Sequence, residues 1–495
     1  MRPVPLALPW RALLALCAGL LVPLTLSPLS LWPLALPSLA LLYLLLHDTT
    51  PRTAALLGWC YGFGLYGLGA SWVYVSIHDY GAAPPPLAAA LTLLFVAGLA
   101  LLTLLQCWLY RRWCRAHPVF GFAALWALGE WLRSWLLTGF PWLYLGYAHV
   151  TAPLSGLAPI IGVLGIGFVL ALSAALLGAL WQRGRNAGWH ALRGGILPAL
   201  ALLWLCAVAS NQLDWVTPRD TPPLRVAAVQ ANIAQELKFD SAALEQNLQR
   251  YRDLSAPLWG HDLVLWPETA IPLLYQQATP LLTQLETDAA NGNTALVSGI
   301  FWRDGERNYN SLAVLGNGSG AWHKQKLVPF GEYVPLRALL ENLLQLFSLP
   351  MSSLVPGPAG QDSLQVAGWQ AAAFICYEVV YPNFVRRQAR DADFLLTVSN
   401  DTWFGASWGP LQHLQMAAMR ARENGRYMLR ATNNGVTALI DERGRILQRA
   451  PQFEVATLSG ELQLFSGRTP YSRWGDWPLL LLCTGLLLWC RRDAK

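Results

Sequence analysis

Charge is what this sequence has least of: 13% of its 495 residues are Asp, Glu, Lys or Arg, against roughly 25% in globular chains. That deficit excludes a disordered chain and an ordinary soluble enzyme, and a hydrophobic share of 54% leaves a membrane protein. The shortage is uneven. Residues 1–213 hold no lysine, 10 arginines, 2 aspartates and 1 glutamate, whereas residues 214–495 carry the other 51 charged side chains. Two solvents are implied. Cysteine is also scarce: Cys17, Cys60, Cys107, Cys114, Cys206, Cys483 and Cys490 lie in or beside apolar runs, and Cys376 alone falls in the polar segment. A structural disulfide within that segment is therefore excluded. Cys376 has no CxxC partner and His261, His323 and His413 are far apart, so neither a metal site nor a cofactor is expected. Gly316-Asn317-Gly318-Ser319-Gly320 lacks the lysine of a phosphate-binding loop and reads as a hairpin turn. The net charge of +6 forms no basic stripe, and nucleic acid is not expected as a partner.

Apolar runs near the ~20 residues that span a bilayer occur at 10–27, 29–46, 54–77, 84–110, 118–137, 158–182 and 194–213. A shorter run, 477–490, is flanked by Trp474 and by Arg491 and Arg492, which suit an interface anchor and snorkelling cations. About eight transmembrane helices are predicted. With eight crossings, Arg2, Arg11, Arg52, Arg111, Arg112, Arg115, Arg183, Arg185, Arg193, Arg491, Arg492 and Lys495 fall on one side, and the opposite short loops hold no Lys or Arg. Both termini are then cytoplasmic and the large polar segment lies outside. Glu130 and Arg133, three residues apart on one helix face, read first as a structural ion pair. A polar wall near Gly139-Phe140-Pro141-Trp142, holding a lipid headgroup, is the sharper alternative.

From Leu224 the pattern changes to short β-branched runs separated by polar helical stretches. Strands are predicted at 224–233, 263–266, 295–302, 311–315, 371–376, 394–398, 428–432 and 436–440. Helices are predicted at 241–254, 280–290, 336–347, 383–390 and 409–424. This alternation describes an α/β domain with active residues at strand ends. Three parts follow: a membrane domain over 1–213, an extracytoplasmic domain over 214–475, and a last helix with its tail over 476–495. Pro218, Pro222 and Pro223 are expected as a stiff exit from the seventh helix.

Cys376 is either an inert buried thiol or a reactive one. Phe374-Ile375-Cys376-Tyr377-Glu378 places it where an apolar strand turns polar, the position of α/β active sites. A thiol of ordinary pKa, about 8.5, needs a base or a nearby cation. Of the histidines none follows a Cys/His pattern, and His413 reads as a surface residue of an amphipathic helix. Leu263-Val264-Leu265-Trp266-Pro267-Glu268 is a hydrophobic strand ending in an acid, and Lys324 offers the cation. By itself a strand-end Glu is more often solvated, and two lysines in three residues, Lys324 and Lys326, normally mark a solvated loop.

Taken together, Trp266-Pro267-Glu268, Lys324 followed by Val328-Pro329-Phe330-Gly331-Glu332, and Cys376-Tyr377-Glu378 resemble the Glu-Lys-Cys triad of the nitrilase (carbon-nitrogen hydrolase) superfamily, in order and with spacings of 56 and 52 residues. Added to the membrane spans, they make nearly the whole chain resemble the apolipoprotein N-acyltransferase family. Val229-Gln230-Ala231-Asn232-Ile233, Ser399-Asn400-Asp401-Thr402-Trp403-Phe404-Gly405 and Thr432-Asn433-Asn434-Gly435 extend the likeness. The resemblance implies a polytopic α-helical membrane domain joined to a nitrilase-like α-β-β-α sandwich, and a thioester intermediate. It also implies the inner membrane of a diderm bacterium, with the catalytic domain in the periplasm. The implied partners are a phospholipid acyl donor, a diacylglyceryl apolipoprotein acceptor and the lipid bilayer, with the enzyme a monomer. Glu268, Lys324 and Cys376 are the implied catalytic residues, supported by Glu332, Glu378 and Tyr377; Phe239, Trp403, Tyr333 and Trp142 are candidate substrate contacts. Phe239 stands where the family often has Trp, and an aromatic acyl-chain or headgroup contact survives that change. A membrane-anchored amidase and a noncatalytic lipoprotein-binding factor are the alternatives.

Overall fold

The computed structural model describes residues 6–187, 195–333 and 354–492. The expected helix at 336–347 lies outside the described residues. The chain divides into two compact units: Met1–His78, Ala83–Leu213 and Trp474–Lys495 form one, and Asp79–Ala82 with Asp214–Arg473 form the other.

In the first unit the long apolar helices are Leu8–Leu24, Ala35–Leu46, Pro51–Gly69, Pro85–Trp113, Pro118–Arg133, Ala158–Ala187, Ile196–Ala209 and Trp477–Arg492. By length and composition two stretches, Pro85–Trp113 and Pro153–Gly184, are long and apolar enough to cross a membrane. Boundaries differ from the hydropathy runs where backbone chemistry intervenes. The run at 54–77 begins earlier, at Pro51, because Thr50 caps the helix by accepting from Thr53 N at 3.2 Å. It ends early, at Gly69. Close helix approach rests on small residues: a Cβ on Gly19 would stand 2.0 Å from Tyr61 O, and one on Gly64 2.3 Å from Leu16 O. Helices Leu8–Leu24 and Pro51–Gly69 therefore pack backbone to backbone.

Glu130 and Arg133 are both buried but stand 3.9 Å apart, a loose pair. Each has better partners. Glu130 Oε1 accepts from Leu145 N at 2.8 Å, while Arg133 donates to Tyr66 Oη at 3.1 Å and lies 4.9 Å from the Tyr144 ring centre. The expected ion pair is thus mainly a tie between helix Pro118–Arg133, the following loop and neighbouring aromatics.

Among the described residues the second unit is built on two seven-stranded sheets. One runs Ala456–Leu462, Leu224–Gln230, Leu263–Leu265, Ala295–Asp304, Arg307–Gly316, Ala321–His323, with Ile271–Leu274 paired to Ala295–Asp304; it leads to Glu268 and is called the glutamate sheet. The other, the cysteine sheet, runs Ile446–Arg449, Ala438–Ile440, Met428–Thr432, Phe394–Ser399, Trp369–Ile375, Leu364–Val366, Gly318–Ser319. Alternation sets the layers. Ala227 and Val229 of Leu224–Gln230 pack with Leu248 and Tyr251 of helix Leu244–Ser255 and with Leu282 and Leu285 of helix Thr279–Asn291. Each large side chain buried there contributes roughly 1.5–3 kcal/mol. On the opposite face, Gln230 Oε1 accepts from Thr437 Oγ1 at 2.7 Å, beside the cysteine sheet.

Two local expectations change. The proline-rich exit begins as strand Val216–Pro218, paired antiparallel with Phe465–Gly467. The glycine-rich hairpin turn also contributes Gly318–Ser319 to the cysteine sheet, so it links both sheets. Strands 271–274, 446–449 and 456–462 escaped the sequence reading, because Pro272, Gln448 and Arg449, and Ser459 to Glu461 break their apolar runs.

Parallel pairing joins Leu224–Gln230, Leu263–Leu265 and Ala295–Asp304 in one sheet, and Trp369–Ile375, Phe394–Ser399 and Met428–Thr432 in the other. Glu268, Cys376, Asn400 and Asn433 all follow carboxyl ends of these strands. The turn carrying Glu268 passes tightly over Gly299, where a Cβ would stand 2.2 Å from Thr269 N and 2.5 Å from Pro267 O. Gly299→Ala is expected to destabilise the protein by about 1–3 kcal/mol; a wild-type melting temperature for the detergent-solubilised variant would contradict this.

Candidate active site

Glu268 is positioned by the strand before it. Trp266 N extends the ladder to Val297 O at 2.8 Å, and the Trp266 ring is buried against Tyr251 at 4.9 Å with its Nε1 donating to Ser255 Oγ at 2.9 Å. Thr269, at φ +51°, then turns the chain sharply. The Glu268 carboxylate faces inward: Oε1 accepts from Lys324 Nζ at 3.1 Å and Asn310 Nδ2 at 2.8 Å, and Oε2 from Asn400 N at 2.8 Å.

Lys324 follows Ala321–His323, and its N–H donates to Asn310 O at 2.8 Å. Its ammonium, 1% exposed, bridges Glu268 and Glu332, the latter at 2.8 Å. Glu332 is held in turn by Val328 N at 2.8 Å and Asn310 Nδ2 at 3.2 Å. Burial by itself would lower the Lys324 ammonium, but the two carboxylates overcome it and hold it well above its ordinary value. Burial pushes the Glu268 carboxyl up, yet Lys324, Lys238 and Asn310 outweigh that and hold it below the usual carboxylate range. One is therefore a fixed cation and the other a fixed anion at neutral pH.

Cys376 is the first residue after Trp369–Ile375 and opens the 3-10 turn Cys376–Val380 with φ +52°, a conformation L side chains rarely adopt. Its thiol is raised well above its ordinary pKa, first by burial and then by the Glu268 charge, with Lys324 pulling the other way. It rests as the protonated thiol. The turn is clamped by Glu378: Oε2 accepts from Ile375 N at 2.8 Å and Trp322 Nε1 at 2.9 Å, and Oε1 from Gln325 N at 2.6 Å. Burial raises the Glu378 carboxyl to about 7 while these donors pull it down. This one side chain ties the cysteine turn to the lysine segment.

The other expected residues are more dispersed. Tyr377 is buried, edge-on to Tyr381 at 5.2 Å. Phe239 is 43% exposed and stacks on Phe301 at 6.4 Å. Trp403 meets Tyr80, of the short stretch grouped with this unit, at 5.8 Å. The Tyr333 hydroxyl is buried with no hydrogen-bond partner among the described residues. Trp142 belongs to the first unit, where it is buried beside Trp72 at 5.0 Å and Phe140 at 6.2 Å.

Three residues at the site escaped the sequence reading. Asn310 bridges both carboxylates; its signal is a polar residue in register with core-facing Leu312. Lys238 is buried and donates to Glu268 O at 2.9 Å, and burial lowers it to about 8. His413, expected at the surface, is 1% exposed and lies 3.1 Å from Cys376 O; its helix, Gly409–Asn424, buries its polar residues too. No cluster of His, Cys, Asp or Glu suited to a metal ion occurs among the described residues.

Comparison with known proteins places this sequence in a family. Residues 18–176 match the Apolipoprotein N-acyltransferase N-terminal domain and residues 225–469 match Carbon-nitrogen hydrolase. The chain is 52% identical to the Apolipoprotein N-acyltransferase of Azotobacter vinelandii, over 98% of this chain and 95% of that one. The chain belongs to the apolipoprotein N-acyltransferase family. The family protein of Pseudomonas syringae pv. tomato is 50% identical over 98% of this chain and 97% of its own, and that of Pseudomonas aeruginosa 51% identical over 96% and 94%. In this apolipoprotein N-acyltransferase family member Glu268, Lys324 and Cys376 all fall in the carbon-nitrogen hydrolase region, and Trp142 in the N-terminal domain.

Glu378→Gln is expected to destabilise the protein by about 1–3 kcal/mol, because an amide NH2 would face N–H donors where an oxygen accepts them. Thermal unfolding of the purified variant checks this, and an unchanged midpoint would overturn the clamp.

Proposed function

We propose that the chain transfers an acyl group from a membrane phospholipid, through a thioester on Cys376, to the α-amine of the diacylglyceryl-modified N-terminal cysteine of apolipoproteins. The observation that carries this reading is the buried Glu268–Lys324–Glu332 network acting on a protonated Cys376, in a chain of this family. Glu268 takes the thiol proton as sulfur attacks the ester carbonyl. Lys324, with two of its hydrogens on carboxylates, directs the third at the developing oxyanion. The carbon–oxygen bond breaks, the proton passes from Glu268 to the departing lysophospholipid oxygen, and the acyl group stays on sulfur. The acceptor amine then attacks the thioester, Glu268 takes its proton, and the sulfur leaves and is reprotonated.

Glu332 orients Lys324, Glu378 and Tyr377 shape the cysteine turn, and Phe239, Trp403, Tyr333 and Trp142 contact acyl chains or headgroups in this reading. The domains run 1–213, 214–475 and 476–495, with about eight transmembrane helices and both termini cytoplasmic. The catalytic domain lies on the periplasmic face of a bacterial inner membrane, and the enzyme works as a monomer. The arginine distribution and the apolar helices support this placement. Binding both lipids in the bilayer plane supplies positioning that free solution lacks.

Incubation with phospholipid vesicles followed by intact mass spectrometry under thioester-preserving conditions tests the reading. Wild type is expected to gain an acyl mass on Cys376, removable by hydroxylamine and absent in Cys376→Ser, which moves to an added diacylated lipopeptide. An adduct lost only to water would indicate an amidase-type hydrolase, and no adduct a noncatalytic factor. Glu268→Gln is expected to slow acylation by about 10²–10⁴-fold. Because the Glu268 carboxyl is held low, it stays ionised as pH falls, so the acid limb of the acylation rate should lie below the ordinary glutamate value of about 4.3. A limb near neutrality that persists in Glu378→Gln, which removes the carboxyl at about 7, would contradict Glu268 as the base.

A further inference from the structure

The nucleophile's backbone has a partner of its own. At φ +52° Cys376 leaves the strand ladder, whose last pair is Ile375 with Val398, and its carbonyl turns to His413 Nε2 at 3.1 Å. Behind the ring, Arg430 Nη2 lies 3.1 Å from Nδ1 and donates to Asp401 Oδ2 at 2.7 Å. Asp401 Oδ1, 3.0 Å from Nδ1, accepts from Ser399 Oγ at 2.6 Å. His413, Asp401 and Arg430 are all within 1% of complete burial.

Proton logic fixes the direction of the bond. Nδ1 faces both the Arg430 guanidinium, which only donates, and the Asp401 carboxylate, which only accepts, whereas Nε2 faces the Cys376 carbonyl oxygen; a neutral ring that satisfies both that oxygen and Arg430 carries its hydrogen on Nε2. A doubly protonated ring also carries one there. The remaining tautomer would aim a lone pair at the Cys376 carbonyl. Burial and Arg430 hold His413 below its ordinary pKa, in favour of the neutral ring. Either way Nε2–H donates to Cys376 O.

The same turn serves the base. Asn400 N donates to Glu268 Oε2 at 2.8 Å, and the next residue, Asp401, anchors the arginine that faces His413 Nδ1. Space for Asp401 is made by Gly435, where a Cβ would stand 2.4 Å from Asp401 Oδ2. That accounts for the glycine of Thr432-Asn433-Asn434-Gly435, which the proposed chemistry leaves unused.

We propose that His413 is a positioning residue for the nucleophile: through Nε2 it holds the carbonyl of Cys376, and with it the left-handed turn that presents the thiol, while Asp401 and Arg430 hold the ring in place at Nδ1. This rests on Cys376 being the nucleophile of the proposed function. The test compares wild type, His413→Leu and His413→Gln as full-length protein in detergent. Three quantities are read: alkylation of Cys376 by iodoacetamide with peptide mapping, phospholipid acylation resolved into kcat and KM, and the melting temperature.

Leucine removes the donor and is expected to slow both alkylation and kcat on the order of 100-fold with KM nearly unchanged, since small misplacements of a reacting group cost that much. Glutamine, which keeps an N–H donor, is expected to recover most of the loss. Wild-type rates in His413→Leu would overturn the proposal. So would a glutamine variant as slow as the leucine one with the same fall in melting temperature, which marks a merely structural residue. If wild type forms no acyl adduct while alkylation still follows the leucine and glutamine pattern, the functional reading fails and the positioning role stands.

Discussion

The ammonium of Lys324, almost completely buried between the carboxylates of Glu268 and Glu332, is the constraint on which the site depends. A charge out of water is costly unless paired and hydrogen-bonded, and removing one partner leaves the others uncompensated. The surrounding structure is arranged to meet that condition. Asn310 reaches both carboxylates, and backbone N–H groups of Val328 and Asn400 take remaining oxygens. Lys238 adds a second ammonium on the backbone carbonyl of Glu268. The network keeps Glu268 ionised beside a thiol that stays protonated, the state from which the proposed proton transfer would start.

Holding such charges to fixed distances requires rigid supports from both sheets. The glutamate sheet delivers Glu268 and Lys324, and the cysteine sheet delivers Cys376 and the Ser399-Asn400-Asp401 turn, each just past a strand end. Two buried carboxylates bridge these supports. Glu378 reaches from the cysteine turn to Trp322 and Gln325 beside Lys324, while Glu268 reaches from its own sheet to Asn400 N. Left-handed residues at Thr269 and Cys376 re-aim the chain at both strand ends, and such strain persists because the packing around it over-determines the backbone.

The core strands were legible because they are short, mostly apolar runs between polar stretches; Met428–Thr432 and helix Gly409–Asn424 were read with their observed bounds. Edge strands such as Ile446–Arg449, all exposed, carry no such pattern and were missed. Glu268, Lys324 and Cys376 stood out through their motifs and order. Asn310 did not, since one asparagine in a strand is ordinary until its register with the core is known. His413 was misread because polar spacing on a helix normally means a wet face, whereas this helix turns Gln412, His413, Arg420 and Glu423 into the interior.

By itself the sequence determined the two solvents of the chain, the apolar helices, the strand ends and the three motif residues, because hydropathy, periodicity and chemical type are local properties of residues. Only the tertiary structure decided that Asn310 joins Glu268 to Glu332, that Glu378 clamps two segments, and that His413 holds the Cys376 carbonyl. Those partnerships depend on distances of about 3 Å between residues far apart in the chain, and hydrogen bonds weaken steeply outside that range. No local pattern encodes them; the packing of the two sheets and their helices does.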